Sequence, residues 1–289
     1  MQLRGTLMIL TASFLWGTTF VAQMTGMDGL GPFSYAASRF ALGFIFLVIV
    51  WLAQRKKRQR ERNYKNGFLA GIGSGLFMFV ASSMQQVSML YTTAGKAAFI
   101  TCLYIILVPL GAVILGKLIR TENWIGAVLA LIGLYLLAIH EDFSIQIGDF
   151  ILFVSAFFWA GQILFIDRFA SKVDVLELSV AQIFVCMTLS FFAMLIFESP
   201  TVEAVSNAWF SIFYGGIMSA GVAFTLQVYG QKYTDPSTAA IVMSFEAIFG
   251  AVSSWIIINE VMTGREIFGC FLMFVGVLVT QFRTLIGRK

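Results

Sequence analysis

Tyr91-Thr92-Thr93-Ala94-Gly95-Lys96-Ala97-Ala98-Phe99-Ile100-Thr101-Cys102-Leu103-Tyr104 has a counterpart 142 residues later, Tyr233-Thr234-Asp235-Pro236-Ser237-Thr238-Ala239-Ala240-Ile241-Val242-Met243-Ser244-Phe245-Glu246. The Tyr-Thr and Ala-Ala pairs fall at the same places. Moving outward the register persists, at an offset of 142 or 143. Gly5 meets Gly148, Trp16 meets Trp159, Arg39 meets Gln182 and Gln85 meets Gln227 on one side; Thr121 meets Thr263, Gly126 meets Gly269 and Gly133 meets Gly276 on the other. Chance does not keep an offset so constant. The chain therefore reads as two copies of one unit, residues 1–141 and 142–289.

Composition identifies the surroundings of that unit. With 59% hydrophobic residues, 12% charged and a mean hydropathy of +0.87, the 289-residue chain lies outside the range of a water-soluble domain. A helix crossing about 30 Å of hydrocarbon uses roughly 20 apolar residues. Such runs fall at 5–23, 33–53, 67–90, 95–116, 123–139, 148–167, 177–197, 208–230, 236–259 and 266–283. The expected fold is an all-α membrane protein of ten transmembrane helices, arranged as two five-helix repeats. Because five is odd, the second repeat starts on the opposite side of the membrane, so the repeats have inverted topology, an arrangement typical of transporters. The first run is longer than a secretory h-region and lacks its basic n-region and cleavage site, so it reads as a retained helix.

Basic residues orient the bundle. Placing the N-terminus in the cytosol puts 16 Lys and Arg on connections and tails inside and two, Lys96 and Arg265, outside, with Arg39 within a helix. That asymmetry predicts cytosolic N- and C-termini. The 54–66 loop, with seven of the 16, reads as a topology signal. The net charge of +4 thus reports orientation and implies no nucleic-acid partner.

Enzymatic chemistry finds little material. Cys102, Cys186 and Cys270 lie in apolar runs without metal-ligand spacing, and His140 is the single histidine. No metal or cofactor is expected. Gly111-Ala112-Val113-Ile114-Leu115-Gly116-Lys117-Leu118 matches G-x-x-x-x-G-K but ends in leucine where a phosphate loop needs Ser or Thr, and no strand precedes it. Gly67, Gly71 and Gly75 form two G-x-x-x-G steps, a signal for close helix contact.

Several of these segments together resemble a known family. Leu15-Trp16-Gly17-Thr18-Thr19-Phe20, Arg39-Phe40, Thr93 to Thr101 leading to Pro109, Pro236-Ser237-Thr238-Ala239-Ala240, Ser244-Phe245-Glu246 and Asn259-Glu260-Val261-Met262-Thr263 look like the EamA-type drug/metabolite transporters, over nearly the whole chain. The resemblance implies a ten-helix bundle around a central cavity in a bacterial plasma (inner) membrane, moving small metabolites, often amino acids or their derivatives, commonly outward and without ATP. Leu118 departs from the pattern where the glutamate matching Glu260 is usual, as does Lys96 at a site more often neutral.

Depth selects candidate site residues, since the bilayer midplane lies about 10 residues from either end of a 20-residue helix. Trp16 and Trp159 each lie 11 residues into their spans, Tyr104 lies 9 in and Glu246 lies 10 in. Arg39 enters two turns below the outer surface, opposite Gln182. A midplane carboxylate costs about 2.5–3.5 kcal/mol on insertion scales and persists where it faces protein, water or a partner. Glu246 is therefore either a proton-exchanging group or half of a fixed ion pair. Arg39 either clamps a substrate carboxylate or neutralises Glu246. Trp16 and Trp159 are cavity walls or packing residues; Gln85, Gln162, Gln182 and Gln227 mix interhelical glue with lining, and of these only Gln162, three residues after Trp159, is a candidate site residue. Pro109 leaves the Ile105 carbonyl without its helical donor, so the fourth span is expected to kink beside Tyr104, for packing or as a hinge.

The leading reading is a secondary transporter exporting a small metabolite, such as an amino acid or an amphipathic compound, by alternating access with protons as candidate coupling ion. Its partners are that substrate and membrane lipids. A polytopic membrane enzyme, a lipid flippase or an ion channel is the alternative. The orientation has a direct check: reporters fused to either terminus should report from the cytosol, and a terminus accessible from outside would overturn the ten-span N-in arrangement.

Overall fold

Hydrocarbon offers no water to a bare N–H or C=O, so an apolar chain of this composition satisfies its backbone within helices. The computed structural model describes residues 2–27, 29–54, 67–92, 94–139, 146–258 and 262–285, and no β-strand occurs among them. The elements are α1 (Gln2–Gly26), α2 (Pro32–Ala53), α3 (Phe68–Ser88), α4 (Ala94–Thr101), α5 (Tyr104–Ile114), α6 (Thr121–Ala138), α7 (Ile147–Phe169) and α8 (Val175–Phe197). They continue with α9 (Val202–Asn207), α10 (Trp209–Tyr214), a π helix (Gly215–Ala223), α11 (Phe224–Gln231), α12 (Pro236–Met243), α13 (Phe245–Ile258) and α14 (Gly264–Leu285). The expectations for His140, Glu260, the side chain of Lys96 and the basic loop from 55 to 66 concern positions outside those described.

Nine helical segments among the described residues are long and apolar enough to cross a membrane. Three are composite: α4 with α5, α10 through α11, and α12 with α13. The 25-residue α1, which reaches about 37 Å at 1.5 Å per residue, stands apart from these nine. Along it lie Arg4, four threonines before Phe20, Ser13 and Gln23. Its hydroxyls turn back on the helix: Thr6, Thr11, Ser13, Thr18 and Thr19 donate to the carbonyls of Gln2, Leu7, Ile9, Phe14 and Leu15. Such back-bonding hides a polar atom without a partner helix.

Small residues set the closest packing. A Cβ placed on Gly133 would lie 2.5 Å from the Gly269 carbonyl oxygen, and one on Gly126 would lie 2.7 Å from that of Gly276, so α6 and α14 touch backbone to backbone. The α3 glycines do the same against α8, where Gly71 meets Leu178 and Ala181 and Gly75 meets Gln182 and Val185. Gly116 has φ +79°, a conformation glycine adopts without strain. With Gly116 N–H bonded to the Val113 carbonyl and Lys117 N–H to that of Ala112, it ends α5. The G-x-x-x-x-G-K run is thus a helix stop. Lys117 then pairs with Asp167 beyond it.

The fourth span breaks at Cys102–Leu103, slightly before the expected Ile105. Ile105 N–H bonds the Cys102 carbonyl and Ile106 N–H bonds that of Leu103, tighter three-residue steps that relieve the turn preceding Pro109. A second break, at Ser244, has no proline. There Ala247 N–H bonds the Ser244 carbonyl and Ser244 Oγ donates to the Ile241 carbonyl at 2.8 Å. Gly133→Ala is expected to lower the melting temperature of the purified protein, overpacking costing about 1–3 kcal/mol. Gly264→Ala, which meets nothing within 4 Å, should leave it unchanged.

Candidate substrate cavity

The two helix breaks sit beside a cavity with about 600 Å³ of free space, part of it open to solvent. Trp16, Arg39, Tyr104, Trp159, Gln162 and Glu246 all border it, brought there from α1, α2, α5, α7 and α13. Gln182 does not. It is fully buried between α8 and α3, where its Oε1 accepts from Ser74 Oγ at 2.9 Å.

An aromatic wall runs along one side. Phe224 lies between the two indoles, its ring centroid 4.9 Å from that of Trp16 and 6.1 Å from that of Trp159, the latter pair nearly parallel at 8°. Both Trp Nε1 atoms are buried without a hydrogen-bond partner. A buried donor left in that state costs roughly 1–3 kcal/mol.

The carboxylate and the guanidinium are held separately. Glu246 Oε1 accepts from the Tyr104 hydroxyl at 3.2 Å and from the Cys102 thiol at 3.6 Å. Arg39 is 5% exposed, its guanidinium carbon 4.7 Å from the Phe40 ring centroid and 5.6 Å from that of Tyr35. Aromatic faces supply part of what water or a carboxylate would otherwise supply. Arg39 Nε has no partner, and no ion pair joins Arg39 to Glu246. Of the two readings of this pair, the geometry lacks the one in which the charges are locked together.

Two amides of the lining bond each other. Gln227 Nε2 donates to Gln162 Oε1 at 3.0 Å and Gln162 Nε2 to Gln227 Oε1 at 3.4 Å, both side chains buried. Gln231 Nε2 adds a bond to the Ile163 carbonyl at 2.9 Å. Gln23 and Gln85, each partly exposed, also line the cavity. Thr19, Thr101, Ser219, Phe224 and Met243 complete the lining but were not singled out from sequence. Phe224 is one of 30 phenylalanines and Ser219 sits in the π helix, which no local motif announces. Thr101 and Thr19 lie within segments that carried the family resemblance.

The model of the EamA-like transporter family matches the chain twice, over residues 3–139 and 146–282. The chain belongs to the EamA-like transporter family. An uncharacterized transporter of Archaeoglobus fulgidus is 27% identical over 272 residues, covering 94% of this chain and 83% of its own. The uncharacterized transporter YoaV of Bacillus subtilis is 21% identical over 283 residues, covering 95% of each. A solved crystal structure superposes with a TM-score of 0.80 at 22% identity, over 97% of this chain and 98% of its own, a likeness of fold. This EamA-like transporter is accordingly an integral, multi-pass membrane protein of a transporter family, which implies a function other than catalysis.

Because Arg39 and Glu246 share no partner, their substitutions should act independently. The stability losses of Arg39→Gln and Glu246→Gln are expected to add in the double variant to within about 0.5 kcal/mol. Recovery of stability in the double, read from melting temperatures of all three, would reinstate a structural pair.

Proposed function

We propose that this EamA-like transporter is a secondary active exporter of a small metabolite, such as an amino acid or an amphipathic compound, coupled to protons and working by alternating access across a bacterial inner membrane. The observation that carries the reading is one cavity bordered by a buried cation and a carboxylate that are not bonded to each other, beside an aromatic wall. Opposite charges held apart in a low-dielectric site leave room for a ligand bearing both, and Glu246 is the group placed to exchange a proton.

The architecture we assign is ten helices, α1 included, in two inverted repeats at 1–141 and 142–289. Support comes from the double family match and from reciprocal contacts. At the offset of 143, Gly126 corresponds to Gly269 and Gly133 to Gly276, and Gly126 packs on Gly276 as Gly133 packs on Gly269. Likewise Gly5 packs on Gly230 and Tyr233, while its mate Gly148 packs on their mates Ser88 and Tyr91. Reciprocal contacts of this kind are what a two-fold relation between the halves would produce.

That relation also rationalises alternating access. Thr19 and Gln85 are the repeat mates of Gln162 and Gln227. With the N-terminus inside, the bonded pair faces the cytosol and its mates face outward. Thr19 Oγ1 donates to its own helix at Leu15, and no hydrogen bond joins it to Gln85. Rocking exchanges the two ends: Thr19 and Gln85 close while Gln162 and Gln227 part. In proteoliposomes screened with amino acids and amines, Glu246→Gln should lose proton-gradient-driven uptake yet retain counterflow, since glutamine keeps the shape without the charge change. Unaltered gradient-driven uptake would remove Glu246 as proton carrier, and the absence of counterflow in the unsubstituted protein would overturn the carrier.

A further inference from the structure

Four buried polar atoms on cavity-lining residues lack a partner: Trp16 Nε1, Trp159 Nε1, Arg39 Nε and Thr101 Oγ1. Three of the four are donors that cannot accept, since an indole or guanidinium N–H carries no available lone pair. Elsewhere on the same wall the polar groups satisfy one another. Gln162 and Gln227 exchange amide bonds, Glu246 accepts from Tyr104 and Cys102, and Thr19 donates to its own helix. The unmet demand of the cavity is therefore one-sided, for acceptors.

We propose that Trp16 and Trp159 are specificity residues whose indole N–H groups, together with Arg39, bind an oxyanion head such as a carboxylate on the transported metabolite. This rests on the carrier reading above and deepens it. The two indoles come from corresponding places in the two halves of the chain and flank the buried Phe224, so each half contributes one donor to the same aromatic wall. If the indoles were apolar walls alone, a carboxylate and its amine analogue of equal size would lose equally when either was replaced.

Three probes that share a phenyl ring and a two-carbon spacer separate these cases: 3-phenylpropionate, L-phenylalanine and phenethylamine. Calorimetric affinities for the detergent-purified protein should fall about ten- to hundredfold for both carboxylates in Trp16→Phe and in Trp159→Phe, the worth of a hydrogen bond to a charged group, with phenethylamine unchanged. Phe224→Leu, which removes a ring but no donor, should weaken all the probes it affects alike. On the unsubstituted protein labelled with [15N]tryptophan, two indole N–H resonances should move downfield with the carboxylates and stay in place with the amine. Equal losses for acid and amine, or indole resonances unmoved at the highest carboxylate concentration, would overturn the assignment. Carboxylate-dependent indole shifts without counterflow in proteoliposomes would support the site while removing the carrier reading. Counterflow with unchanged acid-to-amine selectivity in both Trp variants would do the reverse.

Discussion

Inside a bilayer no water arrives to complete an unmet hydrogen bond, and each polar atom in the bundle is placed under that constraint. Most comply locally. The hydroxyls of α1 bond their own helix, Ser74 reaches Gln182, and Ser155 reaches the Ala81 carbonyl. These arrangements also fix which helices are neighbours, because each cross-helix bond needs its donor and acceptor at one depth. Around the cavity two indole N–H groups and the Arg39 Nε are left unmet, as are several side-chain atoms elsewhere in the bundle, among them the hydroxyls of Ser179 and Ser190. A site designed only for packing would have closed over apolar side chains at less cost.

The same constraint explains where the helices break. An interrupted helix frees carbonyls that hydrocarbon cannot solvate, so breaks survive where protein or a cavity takes over. Cys102–Leu103 and Ser244 occupy corresponding positions in the two halves, and each is followed two residues later by a cavity group, Tyr104 or Glu246. Three-residue backbone bonds and the Ser244 hydroxyl absorb the freed groups. The breaks turn side chains toward the cavity that an uninterrupted helix would aim elsewhere.

Much of this was legible in the sequence because it is periodic. Apolar runs mark spans, and counting residues from span ends singles out Trp16, Tyr104, Trp159 and Glu246, all of which border the cavity. What depth cannot supply is azimuth. Gln182 and Arg39 hold equivalent sequence positions, yet one lines the cavity and the other packs against Ser74. Phe224 is invisible among many phenylalanines, and the Ser244 break has no proline to announce it, whereas Pro109 gave the first break away to within one turn. The charged pair illustrates the same limit: composition puts both groups in the membrane, and only geometry separates them.

On the two-repeat reading, each charge of the cavity belongs to one half alone. Arg39 is mated to a glutamine and Glu246 to a tyrosine. Residues near an in-plane two-fold axis lie close to their own mates, as Tyr104 and Glu246 do at 3.2 Å. A fully symmetric carrier would set two carboxylates at that spot, where like charges repel strongly in a low dielectric. Replacing one with tyrosine converts the clash into a hydrogen bond and leaves a single carboxylate, held from one side and available from the other. On that reading the broken symmetry lets a lone acid stand where the two halves meet, and Arg39 is the one cation among the described lining residues.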